Sequence, residues 1–333
     1  MIAIMVLSGI ATGVGYLSGG SSGGATNNNS SKSSSKVDPD SFVDEITEMV
    51  DSGYRPTEIE PRIKENIEDL DKDSSTKVVR EFMTSINSVS NYFGQLLYFM
   101  GAELEYTKEV DNIEDLIKNA DKISNNIAKG FLKEAERQYL IIKSLNGYYY
   151  IEPDAKYVLD EYGSYIHGVY KEYLNLAVKQ QTDPIFDEEK EMYNVSRLKE
   201  DLESIELSRD RWSESDYAED FTGMEQMLYE ALFGVSHTTF FDLEIKNEGE
   251  KNEEYIYTLK DEIREEFESL ILENNETPLT KEMEEYLNIL KKNKYKLNDE
   301  ANEYVEKLLD KKFNVNDEAN EQLVDDEIML DSK

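Results

Sequence analysis

Val79, Phe82, Ile86, Val89, Phe93, Leu97, Met100 and Leu104 stand three or four residues apart, without a break, along one stretch of this chain. A strand buries every second residue and a helix every third or fourth, so the spacing commits 74–106 to one long amphipathic helix. Such a stripe has to be covered, and other helices are available to cover it. The same period runs through Ile113, Ile117, Ala120, Ile123, Ile127, Phe131, Ala135, Tyr139 and Ile142, which predicts a second long helix over 112–145 stopped by Asn146-Gly147. A third is expected over 153–181, and a strongly charged fourth over 188–209 that resumes over 224–233. Shorter helices are expected over 38–52, ended by Ser52-Gly53, and over 56–70. The one stretch that reads as a strand is His237 to Ile245. Long amphipathic helices on short turns predict an all-α fold, an elongated up-and-down helical bundle.

The C-terminal part carries an internal repeat with a spacing of eighteen residues. Leu279-Thr280-Lys281-Glu282, Leu297-Asn298-Asp299-Glu300 and Val315-Asn316-Asp317-Glu318 open its three copies. Thr280, Asn298 and Asn316 are expected as N-caps, and Leu287, Val305 and Leu323 as inner-face residues. Each copy reads as a helix and a turn. Such units cannot bury an apolar face alone, so a stacked C-terminal array of short helix–turn repeats is expected.

Composition removes several function classes. The formal net charge is −36, which repels phosphate and argues against nucleic-acid or anionic-lipid binding. Cysteine is absent, so disulfides, thiolate metal sites and cysteine nucleophiles are excluded. Two histidines leave few candidates for base or metal-ligand roles. No cofactor is expected.

The N-terminal segment reads as an address. Its first 31 residues carry no charged side chain, and Ile2, Ile4, Met5, Val6 and Leu7 form a short apolar run interrupted by glycines. The run is short for a membrane span, which needs about 20 apolar residues, and suits a secretory signal better. Leu17-Ser18-Gly19-Gly20-Ser21-Ser22 resembles a bacterial lipobox, with Gly20 where the lipidated cysteine belongs. Glycine has no thiol to accept a lipid, so a membrane anchor follows only if that position is natively cysteine. The Ser, Gly and Asn composition that follows suits a flexible tether. The expected organisation is a signal-like segment over 1–20, a tether over 21–37, a helical bundle over 38–246 and the repeat region over 247–333.

Few constellations suggest chemistry. Asp69, Asp71 and Asp73 imitate the start of a calcium loop, but Ser74 replaces its glycine and Arg80 its bidentate glutamate, so a turn before a helix is expected. His167 is expected in mid-helix, with no second ligand at the required spacing. Acidic pairs carry little meaning among 72 acids. Tyrosine is abundant, and Tyr157 and Tyr165 fall off the helical line that Tyr162, Ile166, Tyr170 and Tyr173 share. Tyr157, Tyr165 and His167 are therefore the candidate ligand or interface residues.

The Tyr148-Tyr149 pair, an acidic turn and then Gly163-x-x-Ile166-His167-x-x-Tyr170 resemble a family of uncharacterised bacterial helical lipoproteins with a signal and a low-complexity tether. The resemblance covers under a tenth of the chain and implies location and fold alone. Together these features predict an exported, surface-associated protein of a Gram-positive bacterium. It would act by binding an envelope or extracellular protein or glycan, without catalysis. A carboxylate- and histidine-dependent envelope enzyme and an acidic decoy for a basic protein are the alternatives.

Overall fold

The computed structural model describes residues 37–105, 116–145, 148–187, 190, 192–234, 239–247, 253–273 and 276–313. Eleven α-helices, two short 3-10 helices and three two-stranded antiparallel hairpins account for the regular structure of these residues, and the fold is all-α. Tertiary contacts divide the chain into two compact units, Met1–Thr182 and Asp183–Lys333. The sequence placed its boundary at 246/247. The observed division falls instead at Thr182-Asp183-Pro184, where proline disfavours helical backbone in the preceding residue.

In unit 1 the central element is α3 (Lys72–Glu105), on which α1 (Pro39–Asp51), α2 (Pro56–Asn66), α4 (Asn126–Arg137), α5 (Ala155–Tyr162) and strand β2 (Tyr148–Pro153) all pack. The expected stripe faces this core: Val79, Phe82 and Ile86 are fully buried, and Phe93 and Leu97 nearly so. Asp71 starts α3 as its cap, its carboxylate accepting from the Ser74 N–H at 2.9 Å. That bond holds its carboxyl below the ordinary range and accounts for the aspartate cluster as helix initiation. Gly53 ends α1 with φ at +76°, a conformation glycine adopts without strain.

The expected helix over 112–145 is corrected in its second half. α4 ends at Arg137, Tyr139 takes a left-handed φ of 59°, and β1 (Leu140–Leu145) pairs antiparallel with β2 in the register Leu140↔Pro153 to Leu145↔Tyr148. Leu, Ile and Tyr fit a pleated, half-buried surface, and an Asn-Gly pair between two such runs favours a hairpin over a helix stop. The first part of that expected helix, 112–115, lies outside the described residues. The helix expected over 153–181 divides into α5 and α6 (Gly168–Thr182). A Cβ at Gly163 would sit 2.4 Å from the Leu159 carbonyl oxygen, so only glycine fits where the chain turns between them.

Unit 2 holds β3 (Phe186–Asp187), β4 (Met192–Tyr193), α7 (Val195–Trp212), α8 (Ala218–Leu232), β5 (Phe241–Lys246), β6 (Glu254–Leu259), α9 (Asp261–Glu273), α10 (Pro278–Lys292) and α11 (Asp299–Phe313). Trp212 stacks on Phe221 with ring centroids 5.2 Å apart and donates its indole N–H to the Ile205 carbonyl. The strand expected at His237 to Ile245 is present from Phe241 and pairs with β6.

Two copies of the repeat are described, as α10 and α11. Met283 and Ala301, Leu287 and Val305, and Leu290 and Leu308 are equivalent at eighteen residues, and all six are buried. Asn298 caps α11, its side-chain oxygen accepting from the Ala301 N–H at 3.0 Å. Thr280 is not the expected cap. Thr277 is, because Pro278 supplies a first helical residue that needs no N–H partner, and Thr280 donates its backbone N–H to Thr277. The third copy, with Asn316 and Leu323, lies outside the described residues. Lys294 and Tyr295 adopt positive φ between the two helices, and the Leu259 N–H donates to the Tyr295 carbonyl at 2.8 Å, so the inter-repeat turn closes against β6.

Candidate functional site

Three elements of unit 1 enclose a cleft of about 550 Å³. The end of α1 and its exit turn contribute Val50, Gly53, Tyr54 and Arg55. The flank of α3 beside its buried stripe contributes Ser85, Ser88, Val89, Tyr92 and Leu96. Those positions recur every three or four residues, so one helical face supplies them all. α4 and its cap contribute Phe131, Glu134 and Gln138 by the same spacing, and Phe93 of α3 contacts Phe131 with centroids 5.4 Å apart.

Local folding places each group. The Arg55 N–H donates to the Glu58 carboxylate at 2.9 Å, closing the first turn of α2 and leaving the guanidinium at the rim. That guanidinium lies 3.5 Å from Glu134, which also accepts from Arg137 at 3.2 Å. Tyr54 and Tyr92 remain 48% and 59% exposed, while Gln138 is only 2% exposed. Gln138 donates through Nε2 to Glu134 at 2.8 Å, and its Oε1 is buried with no hydrogen-bond partner. A buried unmatched acceptor costs about 1–3 kcal/mol.

The sequence-derived candidates lie elsewhere in unit 1, and each is tied to a different partner. Tyr157 belongs to a network around Glu60 of α2. Glu60 accepts from Tyr157, from Tyr139 at 2.6 Å and from Lys64 at 3.0 Å, with the Tyr162 hydroxyl 3.4 Å away. Tyr139 and Tyr157 stack with centroids 4.7 Å apart. Burial pushes the Glu60 carboxyl up, but the donors from Tyr139, Tyr157 and Lys64 outweigh it and hold the group below its ordinary value. Burial and the adjacent carboxylate push the Tyr157 phenol up to about 12, against the pull of Lys64. Tyr157 is thus a neutral donor that holds α5 to α2. Tyr165 is half-buried, with its hydroxyl 3.4 Å from Glu68. His167 is not in mid-helix. It precedes α6, where its carbonyl accepts from Lys171 and its N–H donates to Thr76 at 2.8 Å, leaving the imidazole side exposed. Gly20 and His237 lie outside the described residues.

Unit 2 contains a second buried polar cluster. Tyr229 donates to Glu206 at 2.8 Å and is 3.1 Å from Glu282, Lys312 bridges the same two carboxylates, and Arg209 pairs with Glu225. Burial raises the carboxyls of Glu225 and Glu282 above their ordinary values, against Arg209 and Lys312 for the first and Lys312 for the second. Glu225 Oε2 is buried and unpartnered. Among the described residues no three His, Asp or Glu side chains form a group suited to a metal ion, and no helix is long and apolar enough to cross a membrane.

Sequence reasoning passed over the cleft because, apart from Val89, Phe93 and Phe131, the members it draws from α3 and α4 are not stripe residues. Tyr92 and Ser88 are the flank of a stripe, and Gln138 was read as the interior of a helix that in fact ends there. The signals available were two aromatic side chains off the apolar line, Tyr54 and Tyr92, each close in sequence to serine or glycine. No family model, curated protein or solved structure matches the chain.

Proposed function

We propose that this chain is an exported, surface-associated protein that acts by binding and not by catalysis. In this reading the cleft of unit 1 receives an extended peptide segment of an envelope or extracellular protein. The cleft itself carries the proposal. It has the volume of a ligand site and an aromatic rim open to the surface. Aromatic rings at a rim suit peptide contact because they offer large area at low entropic cost. Support for export comes from the uncharged apolar start, the lipobox-like Leu17 to Ser22 and the Ser/Gly/Asn tether. A location on the outer face of the membrane or in the medium of a Gram-positive bacterium belongs to the same reading.

A random peptide library selected against the full chain, beside a glycan array, tests the proposal. Peptides should enrich on the wild-type chain and be lost on Tyr92→Ser, an exposed substitution that leaves the core intact. Equal enrichment on both chains, or binding of glycans alone, would overturn it. Fractionation of the producing cell tests export: recovery of the chain in the cytoplasm would refute it.

A further inference from the structure

In unit 2 the strand β5 is paired on one side only. β6 runs along that side in the register Phe241↔Leu259 to Lys246↔Glu254, and among the described residues no third strand joins the pair. The hydrogen bonds fix which groups reach the open edge. Opposed residues of an antiparallel pair alternate between exchanging backbone bonds and turning them away from each other. Lys260 donates its N–H to the Phe240 carbonyl at 2.9 Å, so Asp242, Glu244 and Lys246 turn their backbone groups into the hairpin. Tyr257 and Leu259 turn theirs outward. The Tyr257 carbonyl accepts from Leu297 at 2.9 Å, and the Leu259 N–H donates to Tyr295 at 2.8 Å. Leu243 and Ile245 hold the matching positions of β5 and present N–H and C=O at its other edge, where no described segment bonds to them.

The side chains of this edge are equally open. Leu243 and Ile245 are 50% and 37% exposed, and they share a face with Tyr255 and Tyr257. Asp242 and Glu244 are exposed on the other face, and neither has an ion-pair partner among the described residues, whereas Lys246 stands opposite Glu254. Neither proline nor a bulge blunts the edge. A strand that completes it must bring apolar side chains opposite Leu243 and Ile245, where the backbone bonds form. It must bring cations opposite Asp242 and Glu244, where opposed side chains come closest. A second copy of the chain does not meet that demand. Two β5 strands paired about Leu243 set Asp242 against Glu244 twice. Pairing about Glu244 joins Asp242 to Lys246 but sets Glu244 against its own image. Pairing about Ile245 brings Leu243 opposite Asn247, which leaves the strand with φ at +54°. Two chains of net charge −36 also repel each other.

We propose that the free edge of β5 accepts, as a third antiparallel strand, an extended segment of a basic partner protein in which apolar and basic residues alternate. The site belongs to unit 2 and does not rest on the reading of the unit 1 cleft. The backbone bonds of Leu243 and Ile245 hold the segment, and its apolar side chains extend the Leu243, Ile245, Tyr255 and Tyr257 face. Asp242 and Glu244 select its charge.

The probe is fluorescein-labelled acetyl-Thr-Ile-Lys-Ile-Lys-Thr-amide, titrated with the full chain by anisotropy. It should bind, and added salt should weaken it. Glutamate in place of both lysines should weaken it about tenfold. N-methylation of both isoleucines, whose N–H groups meet β5, should weaken it by about tenfold or more, and N-methylation of both lysines, whose N–H groups point away, should be tolerated. Leu243→Pro removes an N–H that β6 does not use, so the hairpin survives and binding falls about tenfold. A circular-dichroism melt checks that variant. If it unfolds, the methylated peptides and Glu244→Lys, an exposed change that should weaken the lysine peptide and favour the glutamate one, decide instead. No binding, equal binding of the isoleucine-methylated peptide, or unchanged binding on Glu244→Lys overturns the proposal. Binding lost on Tyr92→Ser and kept on Leu243→Pro assigns the peptide to the unit 1 cleft and overturns this site alone. Self-association of the free chain that Leu243→Pro abolishes makes a second copy the occupant and overturns the basic partner.

Discussion

Gln138 in unit 1 and Glu225 in unit 2 each carry a buried oxygen with no hydrogen-bond donor. The first lines a cleft open to the surface, and the second lies in a cluster of charged side chains on α7, α8, α10 and α11. An amide oxygen has no way to answer that lack at ordinary pH, whereas a carboxylate can take up a proton. Their neighbouring networks differ in the same way. Around Glu60, Tyr139, Tyr157 and Lys64 all donate to one carboxylate, which is therefore held ionised. Around Tyr229, Glu206, Glu225 and Glu282 share one phenol and the two cations Lys312 and Arg209, and burial raises two of the three. The Glu60 network of unit 1 has saturated its carboxylate with donors, whereas the Tyr229 cluster of unit 2 leaves its buried carboxylates short of them.

The largest effect separating the units should come from Val305→Asp. It buries an unpaired charge between α10 and α11 and should cost about 4 kcal/mol. Limited proteolysis should then cut 276–313 while α3 and α4 survive. Loss of the whole fold would show that the two units do not stand independently. Next, Glu60→Gln removes the charge that Lys64 and the phenols serve and should cost about 2 kcal/mol in urea unfolding of unit 1. A neutral result would mean that the network is decorative.

Acidification should move the Tyr229 cluster and the Glu60 network in opposite senses. A carboxyl raised in the folded state takes up its proton before the unfolded chain does. Lowering the pH from neutral through the raised values of Glu225 and Glu282 towards 4.5 should therefore stabilise unit 2, on the order of 1 kcal/mol. Glu81 in unit 1, raised by burial, adds a smaller gain of the same sign there. Glu60 is depressed, so its contribution is complete above 4.5 and is lost as pH falls through its lower folded value. Segment-resolved hydrogen exchange reads both limbs, and loss of protection in α8 and α10 between pH 7 and 5 would contradict the scheme. The smallest effect is expected for Glu225→Gln, which removes the under-served charge and should leave unit 2 unchanged or stabilised by up to about 1 kcal/mol. A loss as large as that of Glu60→Gln would erase the comparison.

Helix content was legible because α1, α3, α7, α10 and α11 carry unbroken stripes, and burial of the repeat equivalents followed from an eighteen-residue spacing. Other features depended on contacts that period cannot encode. Leu140 to Leu145 keeps apolar side chains that suit a helix or a strand equally, and the antiparallel register with Tyr148 to Pro153 decides between them. Gly163 breaks the α5–α6 run because of one carbonyl 2.4 Å from where its Cβ would be, which no composition reveals. The tyrosines were rightly noticed and unevenly understood. Tyr157 serves Glu60, while Tyr54 and Tyr92, at element ends and flanks, are the ones left at a cleft.

Hydroxyl-radical footprinting of the full chain, with and without a peptide enriched by the library selection, tests the central claim most directly. Tyr54 and Tyr92 are exposed in the free protein and should lose reactivity when peptide binds, while Tyr98, 86% exposed and outside the cleft, and His167 keep theirs. Unchanged oxidation of Tyr54 and Tyr92 at saturating peptide, or protection that appears instead at Tyr165 and His167, would contradict the account.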